Sequence, residues 1–156
     1  MEHPKFVGDR STLAVMLALH EAGYRISVPF GENTRYDLII DDGSTLLRVQ
    51  CKTGWVRRGA IEFRTASSYY HHPNEKKGQR HYRGQVDLFA VYCRKTCGVY
   101  LIPIDGLPGD RASLRIAPPL NGQRKRIRYA DRHAIGRVAI DDCTPPLLLP
   151  AMTAVG

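Results

Sequence analysis

The sequence predicts a single mixed α/β domain, on three observations. An apolar pattern at helical spacing opens the chain, a polar-faced hairpin follows it, and a second, more apolar hairpin completes the core. With 156 residues, 43% of them hydrophobic, the chain is long enough for one globular core and too short for two.

Residues 9–22, DRSTLAVMLALHEA, repeat apolar side chains at helical intervals and stop before Gly23, a residue suited to the position just past a helix end. The extended stretch YRISVPF leads to strands at 36–40 and 45–52, joined through Asp41-Asp42-Gly43-Ser44. Asp-Gly between apolar runs signals a two-residue hairpin loop. A Gly-containing turn then precedes a short strand over 60–64, and the polar segment 65–84, without periodicity, reads as a loop. Residues 86–93 (VDLFAVYC) and 98–104 (GVYLIPI) form the second hairpin. A short strand at 113–117 ends at Pro118-Pro119, and a short helix is expected within 121–132. The domain is assigned to residues 1–142. Residues 143–156 form a Pro-rich apolar tail, expected as a strap over the core or a disordered end.

The net charge is +8, and it is concentrated in two positive blocks, 52–96 and 111–137, with slightly acidic segments elsewhere. Blocks of this kind suit phosphate neutralisation, and neither reads as an amphipathic basic helix, which favours nucleic acid over a membrane surface. Charges at Glu2, Lys5, Asp9 and Arg10 replace any basic-then-apolar leader, and no run is apolar enough to span a bilayer. A soluble, cytoplasmic protein is expected. Cys51, Cys93, Cys97 and Cys143 match no usual disulfide or zinc framework and read as reduced, partly buried thiols.

Chemistry concentrates on the first hairpin. Side chains alternate along a strand, so Arg48, Gln50 and Lys52 share one face while Leu47, Val49 and Cys51 share the other. With Asp42-Gly43 as a two-residue loop, Asp37 falls opposite Arg48 and diagonal to Gln50. A carboxylate, an amide oxygen and the main-chain carbonyl of Cys51 are hard oxygen donors that suit Mg²⁺. Lys52 beside them would stabilise charge building on a phosphoryl transition state. Asp37, Gln50 and Lys52 are thus the candidate catalytic residues; Asp37, Gln50 and the Cys51 carbonyl are the candidate metal ligands.

These residues resemble the PD-(D/E)XK nuclease superfamily in the variant where Gln replaces the second acidic residue. The order GDRSTLAVMLALHEAGY, RYDLIIDDG, LLRVQCKTG, VDLFAVYC, VYLIPID and SLRIAPPLNGQ is similar to the group I intron-encoded homing endonucleases with that core, over roughly residues 6–133. The resemblance implies a restriction-endonuclease-like domain with a mixed central β-sheet flanked by helices. It also implies divalent-metal-dependent hydrolysis of double-stranded DNA and assembly into a homodimer or homotetramer. One position departs from the family: where a helix-one Glu is common, Gly8-Asp9-Arg10-Ser11 runs into Thr12. Asp37 remains the anionic ligand, with Asp9 or Glu32 as possible substitutes, so weak Mg²⁺ binding is expected, with Mn²⁺ able to substitute.

Candidate DNA contacts come from the two basic blocks: Arg57, Arg58, Lys76, Lys77, Arg80 and Arg83 in the first, Gln123, Arg124, Lys125, Arg126 and Arg128 in the second. His20 is expected at the helix surface, Trp55 as a core anchor, and Asp87 as a residue fixing the site or an interface. Rival readings are a Holliday-junction resolvase, a repair or restriction-like nuclease, a catalytically weakened DNA-binding module of the same fold, and a zinc-stabilised interaction protein using Cys93 and Cys97.

Overall fold

The structure, a computed structural model, describes residues 2–31, 33–67, 80–81 and 84–143. The chain begins with helix α1 (Pro4–Glu21), followed by strands β1 (Arg25–Ser27), β2 (Leu38–Asp41), β3 (Leu46–Arg57), β4 (Ala60–Arg64), β5 (Ala66–Ser67), β6 (Arg80–His81), β7 (Leu88–Cys93), β8 (Gly98–Pro103), β9 (Arg111–Arg115) and β10 (Ala134–Arg137). The main sheet has the order β1-β2-β3-β7-β8-β10, with β4 and β9 branching from the far end of β3. Among the described residues, the β3–β7 strand pairing alone is parallel in it, which makes the sheet mixed as expected. Among the described residues the helical flank is α1 alone, plus one 3₁₀ turn at Ala130–Arg132. No helix there is long and apolar enough to cross a membrane.

Helix α1 starts five residues before the expected boundary. Pro4 supplies a preset φ in the first turn, and the His3 ring accepts the Lys5 N–H at 3.2 Å. Its end is the anticipated one: Gly23 takes φ +90°, its N–H bonds the His20 carbonyl, and the Tyr24 N–H reaches back to Leu19. Ser11, Ala14, Val15, Ala18 and Leu19 are buried against the sheet, where they meet Leu38, Ile40, Val49, Cys51, Ala90 and Tyr92. Full burial of Val15 or Leu19 contributes about 1.5–3 kcal/mol each. The opposite sheet face packs Phe89, Val91, Tyr100 and Ile102 against Ile61, Phe63, Ala112 and Leu114 of β4 and β9.

Strand β3 does not end at Lys52 as expected but continues through Gly54 to Arg57. A Cβ on Gly54 would stand 2.6 Å from Ile61 Cγ2 and 2.8 Å from Val91 Cγ1, so glycine is required there by close packing, not by a turn. The turn lies later, at Arg58 (φ +48°) and Gly59 (φ +74°), between the paired Arg57 and Ala60. Two consecutive left-handed residues are the signature of a two-residue hairpin loop. In the second basic block, the expected short helix reduces to the 3₁₀ turn.

Cys97 and Cys143 are paired as a disulfide with Cα atoms 5.5 Å apart, while Cys51 and Cys93 are buried free thiols. This corrects the expectation of four thiols. The chain returns from β10 beside the β7–β8 turn, where the Val138 N–H donates to the Cys97 carbonyl, so the 46-residue separation in sequence vanishes in space. Cys93 instead points into the core, and among the described residues no group of three His, Cys, Asp or Glu side chains stands together. The disulfide takes Cys97 away from the zinc reading that paired it with Cys93.

Candidate active site

The β2–β3 hairpin pairs Leu38 with Val49, Ile39 with Arg48, Ile40 with Leu47 and Asp41 with Leu46. The register is displaced by two residues from the expected one, because the loop is not Asp42-Gly43 alone. Asp42 Oδ1 accepts the N–H groups of Ser44 and Thr45, and Asp41 Oδ1 accepts that of Gly43, which stabilises a longer loop. Asp37 therefore falls not opposite Arg48 but level with Gln50. Its own N–H donates to the Val49 carbonyl at 2.9 Å, and its carboxylate accepts the Cys51 N–H at 2.9 Å. The aspartate is held by β3 on both sides of Gln50.

Burial pushes the Asp37 pKa up, against the lowering effects of the Cys51 N–H and the charge of Lys52. A carboxylate that has lost solvent and keeps one hydrogen-bond donor is suited to a cation. The oxygen donors present, one carboxylate and a neighbouring amide, match a hard divalent ion that retains waters. Lys52 lies half-buried with Nζ 5.8 Å from the Phe89 ring centroid. The Cys51 thiol, on the opposite face, stands against the Thr12 hydroxyl and is pushed far up in pKa by burial, so it stays protonated. Thr12 itself donates to the Gly8 carbonyl at 3.1 Å.

Arg48 is turned to a different task. It donates to both oxygens of Asp87 at 3.1 Å, its N–H donates to the same carboxylate at 2.8 Å, and it reaches the Gly84 carbonyl. The fork holds Asp87 well below the usual carboxylate range. Asp87 thus ties the start of β7 to β3 beside the site.

The model of the PD-(D/E)XK endonuclease family matches residues 2–135, most of the chain. The chain belongs to that family. No curated protein matches the sequence. Among solved structures, the bacterial homing endonuclease I-Ssp6803I superposes with a TM-score of 0.66 at 23% identity, over 85% of this chain and 89% of that one. The likeness shows that this PD-(D/E)XK chain and that protein share a fold.

In this PD-(D/E)XK domain, Lys52 opens onto a groove of about 570 Å³ that continues past Thr53 and Trp55 to Arg57, Glu62, Arg64 and Arg111. Trp55 is 52% exposed, which corrects its reading as a core anchor: it lies on the face of β3 opposite Val56, which packs on the core. Arg57 is exposed beside Glu62, and Arg58 occupies the hairpin tip. Arg124, Lys125 and Arg126 are exposed on an irregular loop in which Gln123 bonds Asn121 and the Lys125 carbonyl. Arg128 is half-buried and donates to the Gly106 carbonyl. For Arg80 the backbone lies in β6, and Lys76, Lys77, Arg83 and Glu32 lie outside the described residues. His20 is exposed in the last turn of α1, as expected, and Asp9 pairs with Lys5 at 3.4 Å. Sequence reasoning missed Arg64 and Arg111, which are far apart in the chain and become neighbours only through the β4–β9 pairing.

Proposed function

We propose that this chain is a divalent-metal-dependent endonuclease that hydrolyses phosphodiester bonds in double-stranded DNA, in the manner of a homing endonuclease. The observation that carries the reading is the desolvated Asp37 carboxylate held by the Cys51 N–H, level with Gln50 and within electrostatic reach of Lys52. Asp37, Gln50 and the Cys51 carbonyl would hold Mg²⁺, or Mn²⁺ in its place. The bound ion supplies Lewis-acid activation of water and of the phosphoryl oxygen. Lys52 places an ammonium where negative charge builds on the phosphoryl group, in a half-buried setting that strengthens the attraction. Burial on the core side keeps bulk water from Asp37 and fixes its orientation without substrate.

Assembly into a homodimer or homotetramer belongs to the same proposal. Phe6, Leu13 and Leu17 form an exposed apolar stripe on α1, the side turned away from the sheet, and exposed apolar patches of this kind usually meet a partner. A second reading, a DNA-binding module with weakened catalysis, is favoured by Thr12: helix α1 presents a hydroxyl, bonded to Gly8, where a further carboxylate would strengthen the metal site.

The test is cleavage of a supercoiled random-sequence plasmid library in Mg²⁺ and in Mn²⁺, wild type against Lys52→Ala. Metal-dependent nicking or linearisation lost in the variant is the expected result. Equal survival of the plasmids with both proteins would leave the binding-module reading. Cleavage confined to branched substrates would redirect the assignment to a junction resolvase.

A further inference from the structure

Beyond Gly54, β3 leaves the helix-covered part of the sheet and forms a three-stranded arm with β4 and β9. The pairings Trp55–Glu62–Ser113, Arg57–Ala60–Arg115 and Arg64–Arg111 fix which side chains share a face, because residues directly opposite point the same way. The inner face, with Val56, Ile61, Phe63, Ala112 and Leu114, belongs to the core. The outer face carries Trp55, Arg57, Glu62, Arg64 and Arg111, which line one groove; Lys52, which alternates onto the other face of β3, borders that groove at its end.

Two features of that face are turned to solvent rather than to the core. Trp55 keeps half its surface in water although an apolar core lies on the other side of the same strand. Arg64 and Arg111 stand directly opposite each other, a like-charge pairing that disfavours the sheet unless an anion lies between or beside them. Nearby carboxylates answer this only loosely: Glu62 stands 3.7 Å from Arg57 and 3.8 Å from Arg111, and Asp110 stands 3.4 Å from Arg64. Side chains in these pairs are 50–63% exposed on the arginine side, so water weakens the attraction and the guanidinium groups can exchange partners. Arg115 is different, since its three donor nitrogens are committed to the carbonyls of Arg58, Ala117 and Pro118.

We propose that the outer face of this arm seats the DNA backbone as it runs away from the site at Lys52. Phosphates take Arg57 and Arg111 from Glu62, a further phosphate meets Arg64, and the Trp55 indole packs against the sugars or bases between them. Arginine forks bind phosphate in two parallel hydrogen bonds, and an exposed indole offers a flat surface that any base sequence accepts. Glu62 pre-positions two arginines and repels phosphate, so it tempers binding that does not complete the exchange. The inference rests on the nuclease reading above and adds the surface along which the substrate lies.

Trp55 is the single tryptophan of the chain, which makes the groove observable without substitution. A short random-sequence duplex is titrated into the protein in EDTA, following anisotropy of labelled duplex and, separately, tryptophan emission with unlabelled duplex. Binding is expected to quench Trp55 emission in step with the anisotropy and to shield it from acrylamide. Arg64→Ala/Arg111→Ala is expected to reduce the slope of log affinity against log salt by about two, and Glu62→Gln to tighten binding. Both variants keep their inner faces and are checked by circular dichroism. Duplex binding with unchanged Trp55 emission and an unchanged salt slope in the double variant would overturn the groove and leave the nuclease reading standing. Absence of duplex binding by the wild type would overturn both.

Discussion

The two halves of β3 obey one alternation and meet opposite surroundings. From Leu46 to Gly54 the strand pairs first with β2 and, from Val49, with β7, with α1 across one face, and Val49 and Cys51 are buried there. From Trp55 to Arg57 it pairs with β4, keeps Val56 on the core, and turns an aromatic and a cation to water. Gln50 and Lys52 fall where one regime passes into the other. A charge there is half-buried, enough to strengthen its interactions, and still reachable by a polymer lying along the exposed half. The candidate site thus depends on a boundary between a covered and an uncovered stretch of one strand.

The largest effect is expected in the covered half. Lys52→Ala should lower cleavage about 10²–10³-fold without changing thermal stability, read by plasmid nicking and a melting curve; a smaller loss in cleavage would remove Lys52 from transition-state stabilisation. Asp37→Asn should abolish metal-dependent cleavage altogether. In the wild type, activity should fall as pH drops through the raised Asp37 pKa, above the ordinary aspartate value of 3.8, and added Mg²⁺ should move that inflection to lower pH.

At the boundary, Gly54→Ala puts a methyl group into Ile61 and Val91 and should cost about 1–3 kcal/mol in urea unfolding. Combined with Ile61→Ala, the cost should be less than additive; strict additivity would mean that the arm does not pack on β7 through this glycine. On the helix side, Thr12→Glu adds a carboxylate beside Cys51 and should lower the Mg²⁺ concentration for half-maximal cleavage several-fold. An unchanged metal requirement would separate α1 from the metal site.

The smallest effect is on stability. Ionised Asp37 is penalised by burial, so without metal its contribution to stability is fully present below the unfolded pKa and is lost as pH rises through the folded one. Asp37→Asn should therefore melt slightly higher than wild type near neutral pH, the amide oxygen still accepting the Cys51 N–H. The difference should disappear in acid below the ordinary carboxylate range.

Face assignments were readable from the sequence because strand alternation is local. The expected register was wrong by two residues, yet Asp37, Gln50 and Lys52 kept their common face, since a shift of two preserves every side chain's face and a shift of one would have reversed them. The error came from Asp42, whose side chain caps two backbone N–H groups and lengthens the loop, a choice that the Asp-Gly dipeptide does not disclose. The sequence alone does not tell which glycine after Lys52 makes the turn: Gly59 does, while Gly54 sits inside β3. Glycine marks both turns and close approaches, and only the positions of Ile61 and Val91 distinguish them.

By itself the sequence determined a mixed α/β domain, a hairpin that gathers Asp37, Gln50 and Lys52, and two blocks of positive charge, because periodicity and composition act over a few residues at a time. Tertiary structure alone decided the parallel β3–β7 pairing that brings Asp87 to Arg48, the joining of Cys97 to Cys143, and the arm that sets Arg64 opposite Arg111. Each of those depends on which distant segments share the burial of one core, and that choice is made by packing the whole chain at once.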